Sequence, residues 1–304
     1  MTSNHYPTSK DVERAIKLAA RTQAETIGRS VKMLVDEEVH RRFLSRVFSE
    51  GDESQWILKG GAGMLARVPT ARATTDLDLF QEGYSLEQAL EDLRRLAAVD
   101  LGDHFRFEFK KSQPILQGEQ NPYAEGCRVT FDVYLGVTPR GPLHVDLVSS
   151  KGIVGPVEME IPKNALDLPR LTSHPYRVIP LVDQVADKVC ATLQLYNGRQ
   201  SSRTKDLVDL VLVARTFDVD GTLLALAIDG EARRRGIGPL TAFRVPVDSW
   251  KARYAQMAAS VPACEKYTDI TAAEKLVARL IDPCLDGMTV GKTWQSQEMA
   301  WFDS

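Results

Sequence analysis

The segment Thr74 to Phe80 alternates strictly, with Thr74, Asp76, Asp78 and Phe80 on one side and Thr75, Leu77 and Leu79 on the other. A period of two belongs to a β-strand with unlike faces. Leu77 and Leu79 mark a buried face, so the strand belongs to a sheet with a core beneath it. The opposite face carries two acids ~6.6 Å apart along the chain. Like charges side by side destabilise a strand unless a cation lies between them. Carboxylate oxygens suit a hard divalent ion, and ions roughly 3.5–4 Å apart serve phosphoryl and nucleotidyl transfer. The plain alternative is an exposed strand face that happens to carry two acids.

The upstream residues favour the first reading. Trp56-Ile57-Leu58 reads as a short buried strand, followed by Lys59, then Gly60-Gly61-Ala62-Gly63, then a helix from Met64 to Arg67 that stops before Pro69. Glycine permits a positive φ and lets a phosphate approach the backbone. A helix N-terminus offers free N–H groups to an anion, and Lys59 adds a charge. An ordinary strand-to-helix turn also favours glycine. A third carboxylate is expected from one of two later strands. Asp146 lies in His144-Val145-Asp146-Leu147-Val148 and Asp132 in Thr130-Phe131-Asp132-Val133, each on the polar side of its alternation.

The rest of the chain divides into a helical lead-in, a mixed α/β half and a helical half. Residues 8–48 read as helical, with Thr8 and Asp11 resembling a capping box. Leu86 to Ala98 is an amphipathic helix. Strands are predicted at Phe105–Phe109, Val129–Leu135 and Leu143–Val148, with Pro139-Arg140-Gly141-Pro142 as the turn of a hairpin. Helices follow at Leu181–Leu195, ended by Asn197-Gly198, and at Thr204–Thr216. Beyond residue 220 helical pieces are broken at Gly236, Pro246, Pro262 and Pro283. The predicted division is 1–178, lead-in and sheet, and 179–304, a helical domain that completes the cleft.

At 304 residues the chain can bury a sizeable core, and 43% hydrophobic with 26% charged residues is a globular mix. A formal charge of −3 does not advertise a nucleic-acid binder. Four scattered cysteines, no apolar leader in Met1 to Lys32 and no apolar run of membrane length make the cytoplasm the expected location, with no membrane partner. Arg233-Arg234-Arg235 could touch an RNA backbone, but a solvated helix face is preferred. Gly291-Lys292-Thr293 imitates the end of a P-loop, yet Asp286 stands where that motif needs glycine.

Lys59-Gly60-Gly61 with Arg72-Ala73-Thr74-Thr75-Asp76-Leu77-Asp78 resembles the AbiEii toxin family, which includes the mycobacterial MenT toxins and belongs to the polymerase-β-like nucleotidyltransferases. Val185-Ala186-Asp187-Lys188-Val189-Cys190-Ala191 and Arg203-Thr204-Lys205-Asp206-Leu207-Val208-Asp209-Leu210 extend the likeness, which spans roughly 56 to 212. It implies an α/β (α+β) nucleotidyltransferase core with a mixed sheet, followed by a helical C-terminal domain. Gly60 and Gly61 would hug the triphosphate of an NTP. Asp76 and Asp78 would hold Mg²⁺ or Mn²⁺, with Asp146 preferred over Asp132 because its strand resembles the family's. Lys188 would contact the phosphates, and Asp206 would orient Lys188 or the base. Lys59, Arg72 or Lys188 would offset phosphate charge. Read from the residues alone, Lys188 also suits a snorkelling surface position and Asp206 a helix-dipole partner. The family's usual Gly-Ser appears here as Gly60-Gly61. The resemblance further implies nucleotide addition to the 3′ end of tRNA, a cognate antitoxin encoded nearby, and silencing by phosphorylation of a hydroxyl near the two acids, matched here by Thr74. Two other readings stay open: a nucleotidyltransferase for a small molecule, and a non-catalytic nucleotide-binding regulator.

Overall fold

The computed structural model describes residues 5–115, 126–148 and 152–304. Two helices lead in, α1 (Ser9–Ile27) and α2 (Val31–Val47). They fill the span 8–48 that the sequence marks as helical, and the break between them lies at residues 28–30. Gly28 takes a left-handed φ of 68° and closes α1, and the Ser30 side chain accepts from the Met33 amide to start α2. At the first N-terminus Thr8 Oγ1 accepts from the Asp11 amide and donates to the Asp11 carboxylate.

Then come β1 (Trp56–Lys59), α3 (Gly60–Arg67), β2 (Asp76–Gln81) and α4 (Leu86–Ala97), the last opened by a Ser85–Gln88 capping box. Five more strands follow: β3 (Phe105–Pro114), β4 (Gly126–Leu135), β5 (Thr138–Val148), β6 (Glu158–Glu160) and β7 (Tyr176–Val178). All seven form one mixed sheet in the order β3-β4-β5-β2-β1-β7-β6. β2 runs antiparallel to β1 and parallel to β5. The β4–β5 hairpin turns at Gly136-Val137, since Leu135 pairs with Thr138 and Tyr134 with Pro139. The predicted turn at Pro139–Pro142 lies inside β5 instead. A bulge between Val133 and Tyr134, opposite Gly141 at φ 92°, absorbs the irregular residues there.

The helical half contains α5 (Leu181–Leu193), α6 (Thr204–Thr216), α7 (Gly221–Arg234), α8 (Val247–Ala258) and α9 (Ile270–Leu285). Pro283 sits in the last turn of α9 rather than breaking it, and Asn197-Gly198 forms a separate tight turn after α5. A three-stranded sheet absent from the sequence reading joins β8 (Val219–Asp220), β9 (Lys292–Gln295) and β10 (Ala300–Asp303). These strands are two to four residues long, too short for alternation to register. Among the described residues no helix is long and apolar enough to cross a membrane.

Leu77 and Leu79 of β2 enter a core with Leu34, Val47 and Leu93, so α2 and α4 cover one face of the sheet. A second core joins the helical half and takes in Met64, Leu65 and Ala71. The acidic face of β2 therefore looks toward α5 and α6. The edge of the first core is anchored by Arg46, buried with Asp103. Its guanidinium donates to both Asp103 oxygens, at 2.9 and 2.6 Å, and to the carbonyls of Arg42 and Phe105. Removing one partner of a buried pair leaves an uncompensated charge. Asp103→Ala should cost about 3–5 kcal/mol in urea unfolding, whereas removing the exposed Arg106–Glu108 pair should cost well under ~1 kcal/mol.

Candidate active site

A cleft opens where the acidic face of β2 meets the first turns of α3, α5 and α6. Lys59, Gly60, Gly61, Arg72, Thr74, Asp76, Asp78, Asp146, Lys188 and Asp206 all line it. Asp132 does not; it sits opposite Pro142 and pairs with Lys110 at 3.0 Å. The parallel β2–β5 register places Asp146 beside Asp78.

The glycines are required by geometry. Gly60 has φ 62°, and a Cβ there would lie 1.9 Å from Asp78 Oδ2. A Cβ on Gly61 would lie 2.9 Å from both Cβ and Oγ1 of Thr74. A side chain at residue 61 would therefore crowd Thr74. Thr74 stands just before β2, its hydroxyl donating to the Asp76 carbonyl at 3.2 Å. Gln184 on α5 ties the turn down by donating to the Gly60 carbonyl at 2.8 Å.

Arg128 on β4 has no counterpart in the sequence reading. It lies opposite Asp146 in the hairpin and donates to both of its oxygens, through Nε and Nη2, each at 2.7 Å. Its Nη2 also lies 3.9 Å from Asp76 Oδ2. Among the described residues the Asp78 carboxylate accepts no hydrogen bond and forms no ion pair. Burial first, and the charge of Asp146 second, push its pKa above the usual carboxylate value.

Lys188 is buried rather than snorkelling. Its ammonium donates to Asp206 Oδ1 at 3.2 Å and Asp209 Oδ2 at 2.5 Å. Burial alone would lower its pKa, but Asp209 and Asp206 outweigh burial and hold it above the ordinary lysine value. Asp206, in turn, is opposed by burial yet held low by Lys188 and Arg203. Arg72, from the loop before β2, donates to the same Asp209 oxygen at 2.8 Å. Of the arginine run, Arg235 is buried and bonded to Asp187, Glu231 and Gln194, while Arg233 and Arg234 pair with acids of their own helix. These contacts suit a largely solvated helix face with one structural arginine.

Asp78, and Asp76 apart from the 3.9 Å approach of Arg128 to its Oδ2, offer carboxylate oxygens on one strand face, and a nearby cation would offset the cost of burying the charged form of Asp78. This donor set fits a hard divalent ion held by two carboxylates and substrate phosphates. Asp146 differs, because Arg128 already engages both its oxygens. Among the described residues no three His, Cys, Asp or Glu side chains are gathered as a metal cluster.

Two substitutions separate support from chemistry. Lys188→Met leaves Asp206 with Arg203 and Asp209 with Arg72 as their remaining partners, and should cost up to about 3 kcal/mol in urea unfolding. Gly60→Ala forces the Asp78 side chain out of place, and should abolish activity while circular dichroism still reports a folded chain.

A match to no curated protein was found. Among solved structures, a candidate nucleotidyltransferase from Helicobacter pylori is 14% identical, covering 86% of this chain and 99% of its own, with a TM-score of 0.46. JHP933 from Helicobacter pylori is 13% identical, covering 85% of this chain and 95% of its own, with a TM-score of 0.45. The sequence matches the family described as nucleotidyl transferase AbiEii toxin, Type IV TA system, over residues 42–284. The match takes in β1, α3, β2 and the helices that carry Lys188 and Asp206, and the chain belongs to the AbiEii nucleotidyltransferase toxin family.

Proposed function

We propose that this protein transfers a nucleoside monophosphate from an NTP to the 3′ end of tRNA, so that the tRNA can no longer be charged and translation stops. Membership of a Type IV toxin–antitoxin family supports a toxin with an NTP substrate and a cognate antitoxin. The observation that carries the chemistry is the pair Asp76 and Asp78 on the cleft side of β2, with Asp78 against Gly60.

In the proposed reaction an acceptor hydroxyl attacks the α-phosphorus. A new P–O bond forms, the bond to the β-phosphate breaks, and pyrophosphate leaves. Gly60 and Gly61, at the N-terminus of α3, give the polyphosphate a close approach to backbone amides. A divalent ion, Mg²⁺ or Mn²⁺, bound at Asp76 and Asp78 would polarise phosphate oxygens and ease loss of the attacking proton. Asp146 holds Arg128 beside that pair and is the proposed third carboxylate. Lys188 and Asp206 fix the far wall, against which the phosphates lie, and Lys59 and Arg72 add positive charge there. Phosphorylation of Thr74 would place a dianion against Gly61 and beside Asp76, blocking the site by repulsion. Mass spectrometry after co-expression with the antitoxin should then find phosphate on Thr74; its absence would remove that part of the proposal.

Expression of the wild-type chain should arrest growth, and Asp78→Ala should relieve the arrest. Incubation with each α-labelled NTP and total RNA should label tRNA in at least one case. No label on RNA with any nucleotide would exclude the tRNA acceptor, and label on a small molecule would point to an antibiotic-type transferase.

A further inference from the structure

The charges around the cleft can be assigned one by one. Seven basic residues line it among the described residues. Arg72 is spent on Asp209, Arg128 on Asp146, Arg203 on Asp206 and Arg235 on Asp187. Lys188 is spent twice, on Asp206 and Asp209. Two remain. Lys59, at the end of β1, has its ammonium over the Phe80 ring at 5.4 Å. Lys205, in the first turn of α6, makes no ion pair or hydrogen bond among the described residues.

We infer that Lys205, acting with Lys59, is the lysine that binds the triphosphate, and that Lys188 serves instead as the counter-ion of Asp206 and Asp209. The inference rests on the nucleotidyl-transfer reading and names the cation it uses. A phosphate reaching Lys188 would have to break two contacts inside a buried cluster, and would leave two carboxylates facing the incoming anion. A phosphate reaching Lys205 breaks none. The two lysines come from opposite halves of the chain, Lys59 from the end of β1 and Lys205 from the first turn of α6, and both line the cleft that Asp76 and Asp78 line. They therefore sit near the metal-binding acids proposed above, where the β- and γ-phosphates of an NTP would lie. Partial burial and the neighbouring Arg203 and Arg72 hold the Lys205 ammonium below its ordinary pKa. A lysine crowded by other cations in this way gains by receiving an anion.

The test is calorimetric titration of the full chain with inorganic tripolyphosphate and with each NTP, in Mg²⁺ buffer. Lys205→Met should weaken binding by about tenfold or more, the worth of one charge-assisted contact. Lys205→Arg should restore most of it. The urea midpoint of both should equal that of wild type, because Lys205 holds no partner in the fold. Equal affinity in wild type and Lys205→Met would overturn the inference and leave the nucleotidyl-transfer reading standing. Failure of the wild-type chain to bind tripolyphosphate or any NTP would overturn both.

Discussion

The ammonium of Lys188, held between Asp206 and Asp209, ties together two helices of the helical half, and Asp209 carries the tie on to the sheet. α5 brings the lysine and α6 brings both acids. Arg72 reaches the same Asp209 oxygen from the loop that leads into β2. One carboxylate thus fixes two helices and the approach to the acidic strand. A buried ion pair of this kind gives little net stability over an apolar replacement, but removing one member is costly. Its use here is geometric, because it sets where Thr74 and Asp76 stand relative to the helical wall.

That pairing also decides which charges are left over. Once Lys188, Arg72, Arg203, Arg235 and Arg128 are engaged, the free groups in the cleft are few and of both signs. Among the described residues the Asp78 carboxylate has no hydrogen-bond or ion-pair partner, and Lys59 and Lys205 are paired with no acid. Such a site is complementary to a divalent ion carrying a polyphosphate, since the ion answers the acids and the phosphates answer the lysines. Arg128 adds a further feature, a guanidinium on Asp146 that also comes within 3.9 Å of Asp76. Arg128 thereby holds these two acids near one another.

Much of this was legible in the sequence. The alternation around Asp76 and Asp78 gave the strand and its two faces, and the glycines after Trp56-Ile57-Leu58 gave the turn. Both signals are local, set by strand period and by positive φ. Arg128 was not legible, because its role depends on hairpin register. A turn placed at Pro139–Pro142, instead of Gly136-Val137, slides the two strands and separates Arg128 from Asp146. The burial of Lys188 was hidden for a similar reason: the apolar stripe of α5 puts it at an edge, and only the approach of α6 encloses it. The helical character of 8–48 was legible, while the place of the break is set by Gly28 and Ser30, within a charged periodicity that runs on both sides of them.

The central claim is that Asp76 and Asp78 form a divalent-cation site completed by this arrangement of paired charges. The most direct measurement is Mn²⁺ titration followed by electron paramagnetic resonance, on the wild-type chain and on Asp78→Asn, without nucleotide. Saturable binding in the wild type that is largely lost in Asp78→Asn is expected. Equal Mn²⁺ affinity in both proteins would contradict the account.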